Sequence, residues 1–426
     1  MHIKQKIILS LIFVVVFFTQ AFAYIDPATS SMFFSIVFGI LITIFFLLRT
    51  IFYKICFFIT GFSKNRKTEY NHIVLYNEGK KYVFCFEPLL DEFERRQVSV
   101  VYYTSDKEDP LLNKKYNYVT SEFIGKDNKA YMKLSVLKAD ICIMTTPGLD
   151  VYQLKRSKNV KHYCHIFHGT GDACGYRLFG IDYYDSVMIT NEINGTYIRE
   201  IEKKRNLKPK ELVVSGSLEL DRMKVLMGKI PKEKEKKFTV LVAPSWGPKA
   251  IFSKYGTQLL DELLKNDWNI IIRPHPQSFI SEKNLIENLK SKYKKNNNIV
   301  WDENINNLYS LNKADILISD FSGIIFEYSF LFNKSFIYTE YDQNREIYDY
   351  SDLSHDTWKN EALKKIGVEL KIENLKNIVN IINKTVIDKE KIKNINTVKK
   401  IVWQKEGQSA QIITNFIISK QKELFK

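Results

Sequence analysis

The stretch Ala314–Leu331, ADILISDFSGIIFEYSFL, decides the fold class that we predict. Its residues Ile316–Ile318 form an apolar run that is typical of a buried parallel strand. Small polar residues follow at once, and an apolar helical pattern resumes at Ile324. A strand that breaks into a small-residue turn and then a helix leaves free backbone N–H groups at the positive end of the helix dipole. The stretch therefore predicts either a phosphate site or an ordinary helix N-cap.

Short β-rich runs alternate with helical or loop segments on both sides of this stretch. We predict strands at His72–Tyr76, Tyr82–Phe86, Val98–Thr104, Asp140–Met144, Tyr163–Phe167, Ser186–Thr190 and Leu212–Ser215, and then at Phe238–Ala243, Trp268–Ile272, Asn298–Trp301, Asp315–Ser319 and Ser335–Thr339. This alternation indicates an α/β fold with doubly wound parallel sheets. The charged segment Lys229–Lys237 predicts a boundary between an N-terminal domain, residues 68–230, and a C-terminal domain, residues 231–390, followed by a helical tail, residues 391–426. Two such domains place a ligand in the cleft between their strand C-termini.

Length, charge and cysteine content narrow the functional classes. A chain of 426 residues is too long for one ordinary core. The net charge of +15 indicates an anionic surface or substrate. We find no nucleic-acid module, so membrane lipid and a phosphate-bearing substrate are favoured over nucleic acid. The five cysteines are scattered without CxxC spacing, which indicates neither a disulfide framework nor a closed zinc site and fits a reducing compartment.

Residues 1–60 predict a signal-like segment followed by a transmembrane anchor. Two lysines precede the uncharged run Ile7–Ala23, which ends in Ala-Phe-Ala as signal peptides do. A second uncharged run, Ser30–Leu48, precedes a cluster of basic residues. The positive-inside rule places that cluster in the cytoplasm. We therefore expect a bacterial-type cell-membrane protein whose remaining chain lies on the cytoplasmic face.

Three of the seven histidines crowd into the segment around YCHIFHGTGD, Tyr163–Asp172. His168 stands where a predicted strand opens into a glycine loop, and an imidazole titrating near neutrality suits a general base. His162 and His165 are better interpreted as hydrogen-bonded structural residues. A metal site built with the nearby cysteines matches no standard zinc spacing, so we predict no metal.

A second motif, Ile271–Pro276, fixes Arg273 and His275 on a proline-stiffened backbone after a strand. A guanidinium suits a phosphate oxygen, and an imidazole can donate to one. The Ala243–Gly247 turn, with Ser245 and Trp246, is a weaker candidate of the same kind.

Four motifs together resemble the CDP-glycerol glycerophosphotransferase family, the teichoic-acid primases and polymerases, over roughly Val160–Tyr341. They are His168-Gly169-Thr170, Pro244-Ser245-Trp246, Arg273-Pro274-His275-Pro276 and Ser319-Asp320-Phe321-Ser322. The resemblance implies a GT-B architecture of two Rossmann-like domains, a CDP-activated polyol as co-substrate, and neither a cofactor nor a catalytic metal. It also implies His168 as the base for the acceptor hydroxyl, with Gly169 and Thr170 in the acceptor loop. His275 would act on the donor phosphates, and the Ser319–Ser322 turn would hold the donor. From the chemistry of the residues themselves, we add Arg273 and Gly323 as candidate donor- or phosphate-binding residues.

The sequence departs from the family motifs at several positions. Gly171-Asp172-Ala173 follow the His-Gly-Thr motif where the family has a proline and soon a lysine. Of the family's Gly-x-Pro-Arg-x-Asp, Gly216 and Asp221 remain, and Leu218 and Glu219 replace the proline and arginine. Gly323 and Gly247 stand where a serine and an arginine are usual. These departures affect the identity of donor and acceptor more than the fold.

The resemblance and the motifs lead to one functional hypothesis. The chain is expected to move a polyol phosphate, such as glycerol phosphate, from a CDP-activated donor to a hydroxyl of a lipid-linked or polymer acceptor, with release of CMP. We expect Asp320 to cap the helix that follows its turn or to orient His275, because a carboxylate would repel a diphosphate. A GT-B glycosyltransferase, a UDP-sugar epimerase and a non-catalytic nucleotide- or glycan-precursor-binding protein are the alternatives.

Overall fold

The computed structural model describes residues 37–48, 51, 70–230, 237–304, 306–339 and 346–425. The chain divides into two compact units, Met1–Lys67 and Thr68–Lys426. In the first unit, residues 37–48 are helical, and large apolar side chains such as Phe38 and Phe45 are exposed. The predicted signal-like run and part of the predicted anchor lie outside the described residues. Within the described ranges, no helix combines the length and apolar character that crossing a membrane requires.

The second unit begins with a seven-stranded parallel sheet in the order β3-β2-β1-β4-β5-β6-β7. Its strands are β1 Asn71–Asn77, β2 Val100–Thr104, β3 Val119–Phe123, β4 Ala139–Met144, β5 Val160–Ile166, β6 Ser186–Ile189 and β7 Glu211–Val214. The helices that connect or follow them are α1 Val83–Arg95, α2 Asn128–Ser135, α3 Glu192–Lys204 and α4 Leu218–Met227. Every residue of β4 is buried, as expected for a central strand that is covered on both faces.

A six-stranded parallel sheet follows in the order β10-β9-β8-β11-β12-β13. Its strands are β8 Thr239–Val242, β9 Asn269–Ile272, β10 Ile299–Trp301, β11 Ile316–Ser319, β12 Phe336–Thr339 and β13 Gly367–Leu370. Its helices are α5 Ile251–Tyr255, α6 Gln258–Leu263, α7 Ser278–Ser281, α8 Lys283–Lys292, α9 Leu308–Lys313, α10 Ile324–Phe332 and α11 Trp358–Ile366. The predicted strand, turn and helix of Ala314–Leu331 are confirmed as β11 and α10.

Both sheets reverse their strand order at one pair of neighbours, β1 with β4 and β8 with β11. In open α/β sheets, the crevice beyond the strand C-termini at such a reversal is where ligands bind. The predicted α/β fold with parallel sheets is therefore confirmed, and the topology locates one candidate crevice on each sheet.

One predicted strand is wrong. Tyr82–Phe86 falls in a 3₁₀ turn, Lys80–Tyr82, and in the first turn of helix α1. The buried residues of α1 are Cys85, Phe86, Leu89, Leu90 and Phe93, which is the spacing of a helix with one apolar face. Packing of that face on the sheet outweighs the strand preference of the aromatic residues at the helix start.

The predicted helical content of the C-terminal region is confirmed by α12 Ile378–Val386, α13 Lys389–Val402 and α14 Ser409–Leu424. Helix α12 packs into the core of the second sheet through Ile378 and Ile382. Helix α14 instead joins the core of the first sheet, where Ile413 and Ile417 are buried together with Leu75. The chain therefore crosses back from the second sheet to the first between α13 and α14.

Two residues that the sequence analysis associated with a family motif hold this crossing in place. The Asp221 carboxylate accepts hydrogen bonds from Trp403 Nε1 at 2.9 Å, Gly407 N at 2.7 Å and Ser409 N at 3.0 Å. Gly216 has φ +82°, and a Cβ at this position would lie 2.4 Å from the carbonyl oxygen of Gln404. Only glycine fits so close to the crossing chain, so Gly216 and Asp221 are structural here.

Candidate active site

A cleft of about 770 Å³ lies between the C-terminal ends of the two sheets. Residues 78–81, after β1, and residues 168–171, after β5, line it from the first sheet. Residues 273–276, after β9, and residues 322–324, at the start of α10, line it from the second sheet. The strand-end motifs of both sheets therefore meet at one cleft, with His168 and His275 in its walls.

The His168 side chain is half-buried at this cleft. Its Nδ1 lies 3.3 Å from the Tyr176 hydroxyl. The centroids of the His168 and Tyr82 rings are 4.6 Å apart. Burial, and then the positive charge of Lys81, lower the pKa of His168 to about 4. The imidazole is thus neutral at pH 7, the state in which it can accept a proton.

The other two histidines of this motif do not line the cleft. His162 Nε2 lies 2.8 Å from the Ser186 hydroxyl inside the first sheet. His165 is fully buried, with its Nε2 at 3.2 Å from the Tyr176 hydroxyl. Burial lowers the pKa of both imidazoles, so both are neutral packing residues. These positions agree with the structural interpretation made from the sequence.

His275 faces the cleft from the second sheet with a fixed tautomer. Its Nδ1 accepts a hydrogen bond from the main-chain N–H of Gln277 at 3.1 Å. Because a main-chain N–H can only donate, the ring proton of the neutral imidazole lies on Nε2. Burial, and then the nearby charge of Lys81, lower the pKa of His275 to about 4. His275 is therefore a neutral hydrogen-bond donor through Nε2.

Arg273 lines the same wall, but two of its nitrogen atoms are engaged in the protein. Nη1 donates to the Asp302 carboxylate at 2.6 Å, and Nη2 donates to the main-chain oxygen of Asn304 at 2.7 Å. The Arg273 and Asp302 side chains are only 11% and 6% exposed. The sequence predicts this guanidinium as a phosphate ligand, whereas the structure shows a buried ion pair that holds the loop after β10.

The Ser319–Ser322 turn divides into a buried half and a cleft-facing half. The Ser319 hydroxyl donates to the main-chain oxygen of Ala243 at 2.6 Å. Asp320 accepts from the main-chain N–H groups of Ser245 at 2.9 Å and Ile251 at 3.2 Å, so it caps the start of α5. The sequence predicts that Asp320 caps the helix after its own turn, and the structure places the cap instead at the start of α5.

Ser322, Gly323 and Ile324 form the half of the turn that lines the cleft. Gly323 is the N-cap of α10 and provides no side-chain cap. The Ile324 N–H makes a long contact of 3.5 Å with the Ser322 hydroxyl. The start of this nine-residue helix lies at the cleft wall, where the helix dipole favours an anion.

Several cleft residues are not predicted from the sequence. Lys81 follows β1, and Lys359 on α11 donates from Nζ to the main-chain oxygen of Phe321 at 2.8 Å. Glu219 and Glu327 also line the cleft, and burial raises the pKa of both carboxyls, which favours their protonated forms. Residues 78–81 could have been found by the strand-end rule that selected His168 and His275. Lys359 has no such signal, because it lies on a helix far along the chain.

The remaining predicted candidates divide into residues that line the cleft and residues that do not. Ser245, Trp246, Asp221, Ser319 and Asp320 do not line the cleft, whereas Gly169 and Thr170 do. Trp246 is instead exposed to solvent. Among the residues that the structure describes, no group of three or more histidine, cysteine or carboxylate side chains is placed to hold a metal ion.

Several solved structures share the fold of this chain. The wall teichoic acid polymerase TagF aligns with a TM-score of 0.53 at 15% identity, covering 84% of this chain and 90% of that one. The UDP-GlcNAc 2-epimerase of Neisseria meningitidis bound to UDP-GlcNAc aligns with a TM-score of 0.51 at 14% identity, covering 82% and 100%. The S. aureus MnaA structure with UDP gives 0.54 at 12% identity, covering 84% and 98%. At these identities the likeness concerns the fold alone, an α/β fold of the GT-B type.

Comparison with sequence families identifies the family of the chain, which the shared fold alone does not. No curated protein sequence matches the chain significantly. Residues 209–419 match the family model described as CDP-Glycerol:Poly(glycerophosphate) glycerophosphotransferase. The matched region contains Arg273, His275 and the Ser319–Ser322 turn, and His168 lies before it. The chain belongs to this family and is a glycerophosphotransferase-type enzyme.

Proposed function

We propose that this enzyme transfers glycerol phosphate from CDP-glycerol to an acceptor hydroxyl. The acceptor oxygen attacks the β-phosphorus while the hydroxyl proton passes to His168. The bond between that phosphorus and the oxygen bridging to the α-phosphorus breaks, and CMP leaves with the bond's electrons. The observation that carries the proposal is that one cleft joins a neutral His168 to the N-terminus of α10.

The second sheet supplies the groups suited to the diphosphate. The N–H groups at Gly323 and Ile324 and the α10 dipole favour negative charge. His275 can donate from Nε2 to a phosphate oxygen without carrying a charge of its own. Lys81, which follows β1 of the first sheet, and Lys359 on α11 add cationic side chains to the cleft wall. Such preorganised donors stabilise the charge that develops on the leaving phosphate.

The proposal includes a lipid-linked acceptor and a tether to the cytoplasmic face of the membrane. It is supported by the basic cluster after Leu48 and by the exposed apolar side chains of the helix over residues 37–48. A tethered enzyme would meet an acceptor that is confined to the same bilayer. We propose no cofactor besides the nucleotide donor.

Product analysis of the purified full-length protein tests the proposed reaction. The protein would be incubated separately with CDP-glycerol, CDP-ribitol and UDP-sugars together with membrane extract as the acceptor source, and the nucleotide product identified by mass. We expect CMP from CDP-glycerol. Release of UDP, or isomerisation of a UDP-sugar, would instead favour the glycosyltransferase or epimerase alternatives. Binding of CDP-glycerol without turnover would favour a binding protein.

The pKa of His168 sets the expected pH dependence. A base must be unprotonated, and burial lowers the pKa of His168 from 6.5 to about 4. We therefore expect kcat/KM, which reports on the free enzyme, to stay level from pH 7 to about pH 5 and to fall around pH 4. The sequence alone predicts a fall near neutrality. Circular dichroism at each pH would separate this fall from acid unfolding. If the acid limb of the kcat/KM profile, where the rate falls, were centred near pH 6.5, the lowered pKa of His168 would be contradicted.

The pKa of His275 is also lowered to about 4, so a variant is needed to decide whether the acid limb of the pH profile belongs to His168 or to His275. Replacing His275 with glutamine places an amide donor near the position of Nε2 and removes its titration. The limb should persist in His275→Gln if it belongs to His168.

A further inference from the structure

A side cavity of about 220 Å³ adjoins the main cleft. The residues that border both are Lys80, Lys81, Glu219 and Asn307. The residues that line the side cavity alone are Val83, Phe84, Pro110 and Asn306. Whole ligand pockets span about 300–1,000 Å³, so the side cavity suits one small unit of a larger molecule.

Glu219 stands where the side cavity meets the proposed catalytic base. It lies in the first turn of α4, and its Oε2 is 4.0 Å from the point that a Cβ on Gly169 would occupy. Gly169 directly follows His168 in the chain, so the Glu219 carboxyl borders the loop that carries the base. Oε2 is shielded from solvent and has no hydrogen-bond partner within the described part of the chain. A buried oxygen without a partner is costly, and a ligand hydroxyl would satisfy it.

A second buried carboxyl, that of Glu327, favours the neutral form of Glu219. Glu327 lies on α10 and is only 8% exposed, and its Oε2 accepts a hydrogen bond from Asn307 Nδ2 at 2.6 Å. Burial, and then the negative charge of Glu327, raise the pKa of Glu219 well above the usual range of a carboxyl. A neutral carboxyl both donates and accepts hydrogen bonds, whereas a carboxylate only accepts them. Glu219 therefore matches an uncharged group that carries hydroxyls.

The geometry of the transfer requires a lateral space next to His168. In an in-line displacement at phosphorus, the attacking and leaving oxygens lie on opposite sides of the phosphorus atom. The polyol of the donor is bonded to the same phosphorus through a third oxygen, which must lie to the side of that line. The polyol is therefore directed away from both the acceptor and the leaving CMP. The side cavity provides such a space, because it opens from the main cleft at Glu219.

We propose that the side cavity receives the polyol of the donor and that Glu219 determines the specificity of the enzyme for the polyol hydroxyls. Glu219 stands where the family motif has an arginine, and a guanidinium suits a phosphate oxygen rather than an uncharged hydroxyl. The role is therefore particular to this chain. Val83 and Phe84 add apolar surface for the C–H groups of the polyol. The inference rests on the proposed function, because it takes the phosphorus next to His168 as the reacting centre.

Calorimetry without an acceptor tests the inference on the full-length protein. The two ligands are CDP-glycerol and the propyl ester of CDP, in which hydrogen replaces both free hydroxyls of glycerol. We expect the wild type to bind CDP-glycerol about tenfold more tightly, which is the effect of one or two hydrogen bonds between neutral groups. In Glu219→Ala the two dissociation constants should agree within about twofold. Glu219→Gln should keep the preference, because an amide also donates and accepts hydrogen bonds.

Glu192→Ala is the matched control, because Glu192 also lies in the first turn of a helix but is exposed and borders neither cavity. It should keep the preference of the wild type. A merely structural role of Glu219 would weaken the binding of both ligands and leave their ratio unchanged. That result in a Glu219→Ala protein with an unchanged melting temperature, or a wild type without a preference, would overturn the inference.

CMP release from CDP-glycerol with membrane extract, measured on the same preparation, separates the inference from the proposed function. A preference that depends on Glu219, without any CMP release, would support the polyol subsite and overturn the proposed transfer. CMP release without such a preference would overturn the subsite alone. If neither ligand bound to the folded protein, both would be overturned.

Discussion

Replacement of His168 by alanine is expected to reduce kcat by about 10²–10⁴-fold, the usual contribution of a positioned general base. The affinity for CDP-glycerol should change little, because His275 and the N-terminus of α10, which are proposed to hold the diphosphate, belong to the second sheet. Turnover would be followed by CMP release, and donor affinity by calorimetry. The melting temperature would be measured on the same preparation, since His168 also packs against Tyr82 and Tyr176.

His355→Ala is the matched control for the loss of an imidazole. The His355 side chain is 53% exposed and lies outside the cleft, so its replacement should leave both constants unchanged. His162 and His165 are buried packing residues, and their replacement should lower the melting temperature more than the turnover of the folded fraction. A His168→Ala protein that folds, binds CDP-glycerol and retains turnover within a few-fold of the wild type would exclude His168 as the base.

Replacement of Arg273 by alanine is expected to lower the free energy of unfolding by about 3–5 kcal/mol. The change leaves Asp302 buried without its cationic partner, and the Asp302 side chain is only 6% exposed. Urea unfolding followed by circular dichroism would measure the loss. Burial raises the pKa of the Asp302 carboxyl, but the hydrogen bonds from Ser310 and Asn304 and the charge of Arg273 together outweigh burial, so the pKa of this carboxyl is lowered. The stability it contributes is therefore present at neutral pH and is lost as the pH falls below about 4.

An exposed ion pair provides the control for this prediction. Lys283 and Glu287 are 70% and 60% exposed, and Lys283→Ala should change the free energy of unfolding by less than about 1 kcal/mol. The phosphate-ligand interpretation of Arg273 predicts weaker binding of CDP-glycerol with stability preserved. Such a result would show that the buried pair is dispensable and that the guanidinium acts on the donor.

The fold is predictable from the sequence where apolar runs are bounded by small polar residues. Ile316–Ile318 is such a run, and the structure confirms both its strand and the helix that follows it. The strand predicted at Tyr82–Phe86 is wrong because aromatic residues occur in strands and in helices, and tertiary packing decides between the two. β3 and β13 are missed because their residues are only partly apolar, as is common for strands at a sheet edge.

The candidate site is predictable to the extent that strand ends mark it. His168 and His275 reach the cleft because parallel strands deliver their C-termini to one edge of each sheet. The ion pair of Arg273 is not predictable, since Asp302 follows a different strand and its distance from Arg273 depends on the loop conformation. Lys359 comes from a helix that packs beside the α10 turn, and only the tertiary fold brings it there.

The return of helix α14 to the first sheet has a consequence for protein synthesis. Ile413 and Ile417 belong to the apolar core beneath β1, although they are translated about 340 residues after it. The first sheet therefore emerges from the ribosome long before the last side chains that cover it. Domains usually fold in order during synthesis, but here the core of the first sheet is completed only when helix α14 has been made. A ribosome-bound chain ending at residue 400 should be digested by protease in its first sheet, and release of the complete chain should protect it.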